Sequence, residues 1–301
     1  MMKPEQVKER EKDIYNAIAD AYDTRMARYN TRFAADLIDL LHPQKGETGL
    51  DIAGGTGAAG IRLAERIGPA GSVTVVDISA KCLERAAKNA ALERIANLET
   101  RVMDAEALEM TDASFDVVVS CFGIQYIPDV RKVLSEAYRV LKPGGRIGLL
   151  VWSVPDRFPF GCEPMSEFMK HTAPAWIRAL IKVPLLGPRI RRRLLLAKSP
   201  LGYSPCRFSA PGSLEKLLTR AGFTAIRREL RAHPLEFSSF DEYWETVMLF
   251  VPAKRKAELP SAVVDQVWER LRARLANPRT GGVLLYNEAA LLLAAKPVDR
   301  L

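Results

Sequence analysis

Three carboxylates and one glycine cluster carry the chemistry of this 301-residue chain. In Leu50-Asp51-Ile52-Ala53-Gly54-Gly55-Thr56-Gly57, a short apolar run ends in glycines. Glycines directly after a strand let the backbone turn tightly and approach a ligand without Cβ interference. The helix that follows presents free N–H groups at its start. Asp77 closes the next apolar run, Ser72–Val76, and Asp104-Ala105 follows a third. A glycine turn with an acid ending the neighbouring strand is the pattern of a nucleotide site, the carboxylate taking ribose hydroxyls.

Which nucleotide is the next question. Gly55-Thr56-Gly57-Ala58-Ala59-Gly60 matches GxGxxG literally, and with Asp77 it makes the dinucleotide fingerprint of an NAD(P)-dependent oxidoreductase. Asp51 argues against that reading. A turn that binds pyrophosphate gains nothing from a carboxylate beside two negative phosphates. A ligand bringing an ammonium and a sulfonium, as S-adenosyl-L-methionine does, suits one. Asp104-Ala105 after the third strand and Lys142-Pro143-Gly144-Gly145 before the fifth point the same way.

These residues need an alternating scaffold. The spacing predicts a helix over 5–41, then strands over 49–53, 72–76, 98–103, 115–121 and 146–152, with helices over 58–67, 80–92 and 130–141 between them. Strands alternating with helices imply right-handed crossovers and a parallel sheet covered on both faces. Beyond Trp152 the pattern breaks. Residues 211–221 read as helix, 224–231 as strand, 239–276 as helix and 287–295 as a last strand. The expectation is an α/β, Rossmann-like, doubly wound seven-stranded mainly parallel sheet with a helical lid built from insertions. Its parts are an N-terminal helical cap (1–45), a nucleotide-binding core (46–152), a basic variable insert serving as lid (153–210), a core helix and strand (211–238), a helical lid (239–280), and a last core strand with tail (281–301).

LDIAGGTG at 50–57, VVD at 75–77, DAEAL at 104–108, SFDVVVSCFG at 114–123 and YRVLKPGGR at 138–146 occur in order. Together they resemble the class I S-adenosylmethionine-dependent methyltransferases, in particular the ubiquinone/menaquinone C-methyltransferases and related small-molecule enzymes. The resemblance covers residues 14–152 well. It implies that Asp51, Ala53, Gly54, Gly55 and Gly57 line the methionine end of the cofactor S-adenosyl-L-methionine. It gives the ribose hydroxyls to Asp77, the adenine face to Ile78, the adenine amino group to Asp104 and the ring edge to the Ala105 N–H. The Ser120 carbonyl would meet the cofactor's amino group, and Tyr22-Asp23 would close over it. Where the quinone enzymes carry an Arg-Asn pair after the fourth strand, this chain has Gln125-Tyr126, at a position that faces the acceptor in relatives.

Methyl transfer from a sulfonium is an in-line displacement, so catalysis needs alignment in a dry site more than acid–base help. No catalytic base is assigned. His233 and Tyr126 are the acceptor-side candidates with Gln125, beside the reading of all three as packing or surface residues. The aromatics and leucines of 153–205 and 239–276 favour a small, apolar or lipophilic acceptor. A cofactor-binding relative without catalysis is the non-enzymatic alternative.

Net charge is +8, and nine cations with no acid lie between Glu167 and Glu215. The rest of the chain is therefore near neutral, and a nucleic-acid partner is not expected. The mixed basic and apolar stretch 176–198 fits peripheral contact with an anionic membrane, or an ordinary solvated charge cluster. Cys82, Cys121, Cys162 and Cys206 form no CxxC pair, so they read as separate buried thiols rather than a disulfide framework or a metal site. With no apolar run of membrane-spanning length and no signal-peptide pattern, the expected location is cytoplasmic.

Overall fold

A computed structural model describes residues 3–172, 206–251 and 253–298. The chain forms two units. The first comprises Met1–Trp152, Phe208–Arg231 and Ala289–Leu301, and the second Ser153–Arg207 and Ala232–Glu288.

The first unit opens with helix α1 (Pro4–Tyr22), a π turn (Asp23–Ala27) and helix α2 (Arg28–Leu41). The single helix expected over 5–41 is therefore widened in its middle. Within the turn Asp23 is drawn toward the helix Ala80–Leu92, accepting from Arg85 Nε at 2.6 Å and Asn89 Nδ2 at 2.7 Å. Such turns re-aim side chains within a helix. Phe33, Ala34, Leu37, Ile38 and Leu41 bury the core face of α2 at three- and four-residue spacing.

The alternation that follows is β1 (Thr48–Ile52), α3 (Ala58–Ile67), β2 (Ser72–Asp77), α4 (Ala80–Leu92), β3 (Leu98–Val102), β4 (Phe115–Cys121), α5 (Val130–Val140) and β5 (Leu141–Trp152). Strand β6 (Thr224–Phe237) and strand β7 (Val283–Ala295) complete a seven-stranded sheet in the order β3-β2-β1-β4-β5-β7-β6. The first five strands pair in parallel, and β7 runs antiparallel to β5 from Arg146↔Ala295 to Trp152↔Ala289. Helices cover both faces, so the central strands are apolar almost throughout; Val73, Val75, Val117, Val118, Val119 and Leu150 are fully buried.

This topology fixes where a ligand must sit. Strand order reverses between β1 and β4, and the crevice outside the carboxyl ends of strands at such a reversal is the binding edge of an open α/β sheet. Asp51 lies in register with Val75 on one side and Val119 on the other. The glycine turn, Asp77 and the end of β4 therefore emerge together.

Several boundaries differ from those expected. Lys142–Gly145 ends α5, yet strand pairing brackets it: Leu141 already pairs with Phe115, and the ladder resumes at Val117↔Arg146 after a register shift. Gly144 takes a φ of +79°, which absorbs the detour. The helix expected over 211–221 is confined to α7 (Glu215–Arg220), with turns before it. Strand β3 stops one residue earlier, β6 continues to Phe237, and β7 starts at Val283.

In the second unit, α6 (Pro159–Thr172) packs with α8 (Phe240–Leu249) and α10 (Ser261–Leu275); α9 (Ala253–Glu258) lies between the last two in sequence. The span 239–276 is thus three helices, and Pro260 flanks the second break, where it cannot donate to a continuing helix. Phe160 meets Phe237 and Tyr243 at ring-centroid distances of 6.0 and 6.1 Å, an aromatic interior for this unit. Cys162 and Cys206, expected as separate thiols, have their sulfurs 3.8 Å apart. They stand 44 positions apart in the chain, so their approach comes from tertiary packing and not from local spacing. The basic stretch 176–198 lies outside the described residues. Among the described residues no helix is long and apolar enough to cross a membrane.

Candidate cofactor site

The turn after β1 begins at Ala53, whose φ of +52° lies in the left-handed region. Gly54 donates to the Val76 carbonyl at 3.1 Å, and Gly57 to the Gly54 carbonyl at 2.9 Å. Only a residue without Cβ fits at Gly54: a Cβ there would stand 2.4 Å from Val75 Cγ1 and 2.7 Å from Asp51 Oδ2. Gly55, with a φ of +55°, is different. Its missing Cβ would meet nothing within 4 Å, because this residue borders the cavity.

Asp77 organises the opposite wall. Its Oδ2 accepts the Gly55 N–H at 2.9 Å and its Oδ1 the Ser79 N–H at 2.9 Å. Burial raises its carboxyl pKa above the ordinary range, against the backbone N–H groups that favour the charge. Ser79 caps α4 by accepting from Cys82 N at 3.1 Å, and its hydroxyl donates to Asn16 Oδ1 of α1 at 2.8 Å. The acidic wall and the N-terminal helix are thereby joined.

Asp51 stands behind the turn, fully buried. Its Oδ2 accepts the Gly60 N–H at 2.7 Å, while Oδ1 has no hydrogen-bond partner among the described residues. Burial pushes this carboxyl up to about 8. A buried carboxylate oxygen without a partner is costly and calls for a donor or a cation.

One cavity of the first unit gathers Tyr22, Ala53, Gly54, Gly55, Asp77, Ile78, Asp104, Ala105 and Tyr126 of the expected residues on its wall. Asp51, Gly57, Ser120 and Gln125 are not on that wall. Ser120 is buried on β4, its hydroxyl unpartnered among the described residues. Gln125 is fully buried, and its Oε1 accepts the Trp152 N–H at 3.3 Å. His233 lies on the part of β6 that belongs to the second unit.

Sequence reasoning missed a whole wall. Lys8, Glu11 and Tyr15 join Tyr22 on the cavity, at positions i, i+3, i+7 and i+14 of α1. That spacing is one helix face, and it was available as a signal. Asn30 also lines the cavity and donates through Nδ2 to the Tyr22 hydroxyl at 2.7 Å. Cys121 ends β4, and Phe122 and Gly123 follow it directly onto the cavity wall. Burial raises the Tyr15, Tyr22 and Cys121 pKa values, so these groups stay neutral.

The strand order separates this chain from dinucleotide enzymes, whose sheets run 3-2-1-4-5-6; here an antiparallel β7 is inserted beside β5. The ubiE/COQ5 methyltransferase family matches over residues 3–184, more than half the chain. The chain belongs to the ubiE/COQ5 methyltransferase family. Among its relatives, the ubiquinone/menaquinone biosynthesis C-methyltransferase UbiE of Brucella anthropi is 42% identical over 151 residues, 47% of this chain and 56% of that protein. The chain thus spans about half the length of that relative. The nocamycin O-methyltransferase of Saccharothrix syringae is 29% identical over 269 residues, 84% of this chain and 89% of that protein. In fold, the YcgJ protein of Bacillus subtilis superposes with a TM-score of 0.56 at 19% identity, over 88% of this chain and 99% of that one.

The family's cofactor, S-adenosyl-L-methionine, fits the residues present. Gly55 leaves open space for it, Asp77 offers acceptors at the end of β2, and the orphaned Asp51 Oδ1 suits a positively charged ligand.

Proposed function

We propose that this family member transfers the methyl group of S-adenosyl-L-methionine to a small apolar acceptor by in-line displacement. The observation that carries the reading is Asp51: a buried carboxyl group behind a glycine turn, with one oxygen unpartnered among the described residues, is helped to ionise by a ligand bringing positive charge and hindered by a pyrophosphate. When bound, the cofactor supplies a methyl group already activated on a sulfonium.

The chain's own residues then have modest tasks. Asp77 holds the ribose through the same carboxylate that fixes Gly55. Ile78 packs on the adenine, and Asp104 with the Ala105 N–H takes its edge. The Ser120 carbonyl takes the amino group from the sheet end. Tyr22, Tyr126 and Phe122 keep water from the reacting end. The phenols of Tyr15 and Tyr22 are held neutral by burial, and among the described residues no histidine lines this cavity, so an acceptor that needs no strong base suits it. An apolar acceptor is supported by the aromatic lining. A relative that aligns over 84% of this chain is named for O-methylation of nocamycin, which supports a small-molecule acceptor. Tyr126 on the cavity wall, in the second place of the quinone enzymes' Arg-Asn pair, weighs against carrying a quinone over from the other relatives. The basic, leucine-rich stretch 176–198 supports access to a lipophilic acceptor at an anionic membrane.

The test is transfer of label from methyl-tritiated S-adenosylmethionine to a panel of apolar and charged acceptors. Label in apolar products is expected. Label only in charged products overturns the acceptor class, and none in any product overturns methyl transfer. Co-sedimentation with anionic vesicles at low salt checks the membrane contact, and protein left in the supernatant contradicts it.

A further inference from the structure

Lys8 makes two ion pairs at one end of the cavity. Its Nζ lies 2.6 Å from Asp104 Oδ2 and 2.8 Å from Glu106 Oε2. The two acids are not equivalent. The Glu106 side chain is 5% exposed, and its other oxygen accepts the Asp129 N–H at 2.9 Å, which ties it to the loop before α5. The Asp104 side chain is 38% exposed and borders the cavity; its Oδ1 accepts the Glu106 N–H at 2.9 Å.

Electrostatics requires a cation here. Two carboxylates two residues apart, one of them buried, repel each other, and without a cation only the Glu106 N–H would hold the more exposed one at the cavity edge. A lysine carries three donors. Lys8 spends one on each acid, joining the more exposed carboxylate to the buried one. It reaches them from α1, whose Glu11, Tyr15 and Tyr22 continue the same cavity-facing stripe.

We propose that Lys8 is a positioning residue for adenine recognition, holding the Asp104 carboxylate where it accepts the exocyclic amino group. The inference rests on the cofactor reading above, which gives Asp104 that role. Lys8 acts through Asp104, so its removal must weaken recognition of that one amino group more than it weakens the site in general.

The experiment is a two-by-two cycle. Calorimetry measures binding of S-adenosylhomocysteine, and of the analogue whose purine lacks the exocyclic amino group, to the wild-type chain and to Lys8→Met. The wild type is expected to favour the amino-bearing ligand about tenfold, the scale of one hydrogen bond to a charged acceptor. Lys8→Met should bring the preference close to unity, with Lys8→Gln agreeing and Lys8→Arg restoring most of it. An unchanged preference in both neutral variants overturns the proposal, because a merely structural lysine weakens both ligands alike. Should a neutral variant fail to fold, a wild-type preference that survives in Lys8→Arg and is absent in the other neutral variant still supports the proposal, and one retained there overturns it. Failure of S-adenosylhomocysteine to bind the wild type would instead overturn the cofactor reading itself.

Discussion

Asp77 Oδ2 accepts the backbone N–H of Gly55 at 2.9 Å, so the acid ending β2 holds the glycine turn that follows β1. One carboxylate thereby shapes the turn and presents its remaining lone pairs to the cavity. Asp77→Ala is expected to weaken S-adenosylhomocysteine binding at least tenfold, since it removes charge-assisted hydrogen bonds worth about 1.5–3 kcal/mol each. Calorimetric affinity checks this, and an unchanged value contradicts the assignment.

Gly54 and Gly55 are adjacent, yet alanine should act on them differently. At Gly54 the new methyl collides with Val75 and Asp51, an overpacking cost of about 1–3 kcal/mol that lowers the melting temperature. At Gly55 the methyl enters open space, and the left-handed backbone costs about 1–2 kcal/mol. Gly55→Ala should therefore lose more cofactor affinity for a given loss of stability. Melting curves paired with titrations of both variants decide the matter; equal ratios would show that Gly55 does not face the ligand.

Asp51 predicts a pH dependence. Its carboxyl titrates near 8 in the folded chain and near 3.9 when unfolded. The folded state holds the proton more tightly, so the stability it contributes is fully present below about pH 4 and is lost as pH rises toward 8. Asp77 and Glu11 are raised by burial in the same direction, so the comparison must be with a variant. Asp51→Asn keeps an acceptor for the Gly60 N–H and cannot titrate. Its melting temperature should fall less between pH 5 and pH 8 than that of the wild type. Parallel curves would contradict the raised titration.

How far the sequence carried this reading depends on the range of each interaction. The glycine turn, Asp77 and the five parallel strands follow from local spacing and were legible. The parts that were not legible depend on distant contacts. The π turn at Asp23 is tied to Arg85 and Asn89, more than sixty positions away. The pairing of Leu141 with Phe115 ahead of a glycine turn is set by the ladder beside it. Lys8 meets Asp104 and Glu106 across 96 and 98 positions. Gln125 reads as an acceptor-facing residue from the resemblance, while its side chain is buried against the end of β5. The spacing of Lys8, Glu11, Tyr15 and Tyr22 was visible as one helix face, but nothing in the pattern marked that face as polar wall rather than surface.

The central claim is that this cavity takes the nucleoside of S-adenosylmethionine and not a dinucleotide. Calorimetric titration of the chain with S-adenosylhomocysteine, and separately with NADH, tests it most directly. The account predicts saturable binding of S-adenosylhomocysteine at one site per chain, weakened at least tenfold in Asp77→Ala, with no heat from NADH at the same concentrations. Saturable NADH binding, with none of S-adenosylhomocysteine, would contradict it.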